Sequence, residues 1–167
     1  IMEKYTDIIV HDIFSPPVAS RNYTYASIAA YEAARHADPS YKTLEGQLKD
    51  LKGVPQPDKN KKYCFELAAI KAMFLTCKKY IFSEADLVAY EAEVMKEIEK
   101  INIPQDVYKN SMEYGEAVAN HIMAWSDKDN YKESRSFPKF SINIDERARW
   151  RTTPPAYMDA VEPHWNK

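Results

Sequence analysis

At 167 residues, with 45% hydrophobic and 13% aromatic side chains, the chain is one domain's worth of foldable sequence and not a disordered segment. Its 23 basic and 25 acidic residues are mixed along its length for a formal charge of −2, so no field builds up that would draw nucleic acid or an anionic membrane. Three glycines, Gly46, Gly53 and Gly115, are too few for a fold of hairpins, bulges or phosphate-cradling loops, and helices are favoured on that count.

From Glu3 to Phe14 the apolar residues Tyr5, Ile8, Ile9 and Ile13 keep helical spacing until Ser15-Pro16-Pro17 interrupts the chain. Ser15 or Pro16 then opens a second helix from about Pro17 to His36. Its alanines, among them Ala26, Ala29, Ala30 and Ala33, allow close packing, and Val18, Tyr25 and Ile28 supply the apolar stripe. Residues 37–60 carry three prolines and two glycines and read as a loop with one short helical turn around Leu44 to Leu51. A third helix, Lys61 to Ile81, is apolar nearly all round and is therefore expected at the centre.

Ser83 with Asp86 resembles a capping box and starts a fourth helix, with Leu87, Tyr90, Val94, Ile98 and Ile101 on one face. Pro104 opens the fifth, whose stripe runs through Val107, Ser111, Tyr114, Gly115, Val118, Ile122 and Trp125 to an end near Ser126. After that, prolines break any period. Tyr131, Phe137, Phe140, Trp150, Tyr157 and Trp165 are nonetheless too many aromatics for a disordered tail. The expected architecture is all-α: a bundle of about five main helices over residues 1–126 and an extended, aromatic-rich arm over 127–167. The arm would pack on its own bundle or on protein that follows Lys167.

No apolar run reaches the eighteen or so residues that would span a bilayer, and the chain reads as soluble. Ile1 precedes the first methionine, so residues upstream, with any targeting signal, are expected to have been removed. Cys64 and Cys77 lie in one helix, separated by roughly 20 Å at 1.5 Å per residue, and cannot pair; they read as free buried thiols.

The four histidines, His11, His36, His121 and His164, share no metal-ligand spacing. Glu32 and His36 stand one turn apart and could meet a cation, but at a helix end solvation is the plainer reading. His121, between Val118 and Trp125, is a hydrogen-bonded core histidine or an acid–base group, the former favoured. Arg21 and Glu32 share a helix face but lie about 16 Å apart, so each must find another partner, and a structural ion pair is favoured over a substrate contact. Arg147, Arg149 and Arg151 around Trp150 could face phosphate or nucleic acid, a reading that Asp145 and Glu146 weaken. Asn22-Tyr23-Thr24 matches a glycosylation acceptor inside a helix and is read as chance, and no nucleophile elbow, Walker loop or Cys-x-x-Cys pair is present.

The run His11-Asp12-Ile13-Phe14-Ser15-Pro16-Pro17-Val18-Ala19-Ser20-Arg21, followed by Tyr25 and Ala29-Ala30-Tyr31-Glu32-Ala33, resembles the opening of bacterial proteins related to the vanadium haloperoxidases, within the type-2 phosphatidic acid phosphatase (PAP2) superfamily. Tyr114-Gly115-Glu116-Ala117-Val118-Ala119, Ala124-Trp125-Ser126, Asp129-Asn130-Tyr131, Trp150 with Thr153-Pro154-Pro155, and Glu162-Pro163-His164-Trp165 are similar to that family in the same order. The resemblance spans this chain but covers the family's N-terminal portion alone.

In that superfamily an oxyanion is cradled by a Lys with Arg-Pro, a Pro-Ser-Gly-His and a Ser-Arg ending in Gly-x-His. The three glycines here are followed by Gln47, Val54 and Glu116, and Ser20-Arg21 has no glycine near it, so those motifs are not hidden in this chain. No catalytic, cofactor-binding or metal-ligating residue is assigned. The resemblance implies that vanadate or phosphate is held by a C-terminal catalytic half, with these helices as scaffold, and that the protein is exported, periplasmic or lipoprotein-anchored. Self-association stays open. The alternative is a stand-alone, non-catalytic helical module that engages a partner through its aromatic arm.

Overall fold

The structure, a computed structural model, describes residues 1–160 apart from positions 144 and 147. The chain divides into two compact units, Ile1–Ser126 and Asp127–Lys167. The first holds α1 (Met2–His11), α2 (Pro16–Ala34, continued by a 3-10 turn, Arg35–Ala37), α3 (Phe65–Lys79), α4 (Glu84–Glu99) and α5 (Gln105–Ser126). The second holds a one-turn α6 (Tyr131–Ser134), and no strand occurs among the described residues. The all-α bundle is as the sequence indicates.

The reason α3 is apolar nearly all round is visible in the packing. One face joins Ala68 and Ala72 to Ile28, Ala29 and Ala33 of α2 and to Val118, Ala119 and Ile122 of α5. The opposite face joins Phe74 and Cys77 to Tyr5, Ile8 and Ile9 of α1 and Leu87 of α4. A helix with a hydrophobic cluster on both flanks leaves little surface for charge, and Glu66, Lys71, Lys78 and Lys79 take it. Small side chains set the spacing in the first cluster. At Gly115 a Cβ would lie 2.3 Å from the backbone oxygen of Ala68, so α5 sits directly on the α3 backbone.

Several boundaries differ from the periodicity. The first helix stops at His11, not Phe14: Ile13 has φ +56 and is 87% exposed, so it leaves the apolar face. The third helix begins at Phe65, not Lys61, because the Cys64 N–H is taken by Ser111 Oγ of α5 at 2.8 Å while Cys64 is still extended. Ser83 makes no side-chain cap to α4, and the expected Ser83/Asp86 capping box is absent; an anion from α1 does that work instead. Ile101 lies beyond α4 and is exposed.

The segment between α2 and α3 is an ordered strap. It turns at Leu44 to Leu51, as expected, and buries Leu51 and Val54 in the α2–α3–α5 cluster. Glu45 accepts the N–H groups of Gly53 and Val54, Trp125 Nε1 donates to the Lys49 carbonyl at 3.1 Å, and Tyr114 Oη donates to the Pro55 carbonyl. Within the second unit, Phe140 meets Trp150 edge-on with centroids 5.6 Å apart, and the Arg135 guanidinium lies 4.4 Å from the Tyr131 ring. The sequence segment Glu162-Pro163-His164-Trp165 lies outside the described residues.

Candidate functional site

Arg21 projects from the second turn of α2 against Tyr25 and Tyr80, its guanidinium carbon 5.0 Å from each ring centroid. One of its nitrogens donates to the Ser126 carbonyl, and Tyr80 Oη shares a short hydrogen bond with Ser126 Oγ. The end of α5, the end of α3 and the start of α2 thus meet around one cation whose charge is absorbed by aromatic faces and a helix C-terminal carbonyl. Stacking on the two tyrosine rings and the bond to the Ser126 carbonyl fix its place in the bundle.

Glu32 is fully buried, and its partner is Arg35, whose Nε donates to Oε2 at 2.8 Å. Thr43 Oγ1 bonds the same carboxylate at 3.0 Å, and the Leu44 N–H donates to Oε1 at 2.5 Å. Arg35 spends another nitrogen on Gln56 Oε1. A carboxylate bonded by three donors and fully buried fastens the strap to α2 and presents no exposed oxygen to a substrate.

His36 therefore does not form a cation site with Glu32. Its ring packs against Phe65 and Tyr114, centroids 5.6 and 6.0 Å away, and its buried Nε2 has no hydrogen-bond partner. Burial and then the adjacent Arg35 hold its pKa below that of an ordinary histidine, against a smaller opposing pull from Glu32. His121 is half-buried on α5 and backs onto the strap, its Cε1 4.0 Å from the place a Cβ on Gly53 would occupy. Among the described residues, no group of three or more His, Cys, Asp or Glu side chains is arranged to hold a metal.

One cluster escaped the sequence reading. Ser83 Oγ lies 3.1 Å from His11 Nδ1 and donates to Asp12 Oδ1 at 2.5 Å, while His11 Nδ1 is 3.4 Å from the same oxygen. Serine, histidine and aspartate are together, but the geometry is not that of a nucleophile. A catalytic imidazole bridges serine and carboxylate through its two different nitrogens, whereas here one nitrogen faces both and the carboxylate bonds the serine directly. Asp12 Oδ2 also accepts the N–H groups of Phe82 and Ser83, at 2.7 and 3.1 Å, which makes it a helix cap. Proximity of Asp12 to a helix start seventy positions on has no signature in a single sequence.

The remaining candidates are structural. Asn22 is buried and donates to the Tyr80 carbonyl at 3.1 Å, so it closes the C-terminus of α3 and offers no accessible glycan acceptor. Both cysteines are free; burial pushes the Cys77 thiol up to about 12 and raises Cys64 as well, so neither is a ready thiolate. Of the arginine group, Arg149 pairs with Glu146, as its acidic neighbours suggested, and Arg147 lies outside the described residues. An open pocket of about 280 Å³ at the α4–α5 turn is lined by Ile98, Glu99, Asn102, Ile103, Gln105 and Tyr108, with no cation among them.

These residues do not fit a vanadate or phosphate. A tetrahedral oxyanion needs several cationic and N–H donors aimed at one point. Here Arg21 lies on two tyrosine rings, Arg35 is paired with Glu32, and the buried nitrogen of His36 faces aromatic carbon.

No protein-family profile matches the chain, and no curated protein matches it. Among solved structures it is similar to one described as the crystal structure of the first bacterial vanadium-dependent iodoperoxidase, at 43% identity and a TM-score of 0.85 over 98% of this chain and 39% of that one. The chain therefore spans well under half the length of the protein it resembles.

Proposed function

We propose, on the premise that this chain is related to the bacterial vanadium haloperoxidases, that it is the N-terminal helical scaffold of such an enzyme, whose oxyanion chemistry belongs to the portion beyond it. The observation that carries this reading is the match itself, 43% identical along almost all of this chain but 39% of the other. The lack of convergent cations among the described residues agrees with it. Whether the complete protein oxidises halide with bound vanadate or hydrolyses a phosphoester, as in the wider PAP2 superfamily, depends on residues outside this chain. The two chemistries share one cradle, because bound vanadate imitates the pentacoordinate state of phosphoryl transfer. The family resemblance supports an exported protein.

The test compares the 167-residue chain with the longer polypeptide, assaying iodide oxidation with vanadate and peroxide, and hydrolysis of p-nitrophenyl phosphate. Turnover by the longer form alone is expected. Either activity in the 167-residue chain overturns the proposal, as does a longer form inactive in both assays. Fractionation of the producing cells checks export.

A further inference from the structure

The junction between α1 and α2 and the junction between α3 and α4 meet at an apolar knob. Ile13 is 87% exposed, Phe82 79% and Val10 70%. Backbone and side-chain bonds fix the two junctions beside each other. Ile13 N–H donates to the Val10 carbonyl, Phe82 N–H donates to Asp12 next to Ile13, and the Phe82 ring stacks on Phe14 with centroids 5.0 Å apart. The charged member of the group, Asp12, turns inward with a side chain only 3% exposed, and His11 stands at the edge. An apolar centre with a polar margin is the anatomy of an interface.

Ile13 carries a second sign. Its φ of +56 places a β-branched residue in the left-handed region, where glycine or asparagine would be comfortable and equally soluble. Strain at a solvent-facing apolar residue contributes nothing to the bundle itself; such strain is found at clamps and contact sites.

We infer that Val10, Ile13 and Phe82 form a docking surface for an apolar face of the remaining portion of the polypeptide. This rests on the scaffold reading above. The length of the related chain argues for that occupant: the match covers 39% of that protein, so under the scaffold reading the larger part of the polypeptide is available to cover this surface. Isolated apolar side chains are normal on a monomer; here three stand about one clamped junction, two of them more than three-quarters exposed.

The experiment places a photo-reactive benzoylphenylalanine at position 13, and separately at position 82, in the longer polypeptide and maps the cross-linked peptides. Links from both positions to residues beyond 167 of the same polypeptide are expected. Links confined to residues 1–167, links to a second copy, links to lipid in phosphatidylglycerol vesicles, or no links at all overturn it. As a second measurement, Ile13→Asn should raise the Tm of the 167-residue chain by about 3 °C through relief of strain, yet lower that of the longer polypeptide; a rise in both overturns the inference. An active longer polypeptide without these links would defeat the docking surface alone, whereas an inactive one defeats the scaffold reading.

Discussion

The carboxylate of Asp12, just past the end of α1, accepts both the hydroxyl of Ser83 at 2.5 Å and its N–H at 3.1 Å, so α4 is capped from another helix. The free N–H groups at a helix start carry partial positive charge, and a nearby carboxylate satisfies them wherever in sequence it originates. The ion pair of Lys78 with Glu91 ties α3 to α4 further along. Asp12→Ala should therefore cost about 1–2 kcal/mol, read from urea unfolding followed by circular dichroism. Asp12→Asn should keep part of that. A loss below a few tenths of a kcal/mol for the alanine variant would show that the cap is dispensable.

Asp12 also predicts an acid response. Burial would raise its pKa, but the bonds from the Ser83 hydroxyl, the Phe82 and Ser83 N–H groups and His11 outweigh burial and hold it below the ordinary carboxylate range. The folded state thus prefers the anion. Its contribution is present above the unfolded value near 3.9 and is lost as pH falls through the lower folded value. Between about pH 4 and pH 2 the stability of Asp12→Asn should fall less steeply than that of the parent, measured as urea midpoints across that window.

His36 gives the opposite residue type and the same direction. Its folded pKa is lowered, first by burial and then by Arg35, so the unfolded chain takes up a proton first on acidification. The stabilising effect of the neutral ring is complete above the unfolded value near 6.5 and drains away below it. His36→Phe retains the contacts with Phe65 and Tyr114 and removes the unpartnered nitrogen, so its stability should change less between pH 7 and pH 5 than the parent's. Parallel profiles for the two proteins would dismiss the assignment.

Gly115→Ala tests the contact between α5 and α3. In an exposed helix this change would gain about 0.5–1 kcal/mol from reduced chain entropy. Here the new methyl group meets backbone, the Ala68 oxygen at 2.3 Å, and backbone cannot swing aside as a flexible side chain can. Overpacking of this sort costs about 1–3 kcal/mol, so a net loss is expected in thermal unfolding. A more stable variant would mean that the helices can separate freely.

Glu32 holds the strap. Glu32→Gln leaves Arg35 in a mostly buried setting without its counter-charge and should cost about 3–5 kcal/mol. Limited proteolysis between Thr43 and Val54 should accelerate as well, because the amide keeps one acceptor oxygen where the carboxylate offers two to Arg35, Thr43 and Leu44. The double change Glu32→Leu with Arg35→Leu should recover part of the loss, as removal of both charges leaves neither stranded.

How far the sequence could be read depended on range. Helical periodicity located α2, α4 and α5 closely, and the nearly all-apolar circumference of α3 announced that it would be central. The family resemblance, carried by short runs such as Tyr114-Gly115-Glu116, agreed with the 43% identity to the iodoperoxidase. Ile13 shows where periodicity misleads: it keeps the correct spacing yet falls past the helix end, because Ser15-Pro16-Pro17 limits the helix only from outside and the left-handed turn comes earlier. The start of α3 was misplaced for a related reason, since Ser111, 47 positions away, captures the N–H that a longer helix would have used.

What the sequence determined by itself is therefore local and repetitive: which segments become helices, which faces are apolar, and that the glycine-dependent motifs of an oxyanion cradle are not written in this chain. Tertiary structure alone decided which polar groups meet across elements. Asp12 with Ser83, Arg21 with Tyr80, and Glu32 with Thr43 and Leu44 join elements whose spacing in sequence carries no period. The physical reason is that apolar burial acts over area and leaves its mark in every turn of a helix, whereas a buried hydrogen bond acts over about 3 Å and exists only once the backbone has brought its partners together.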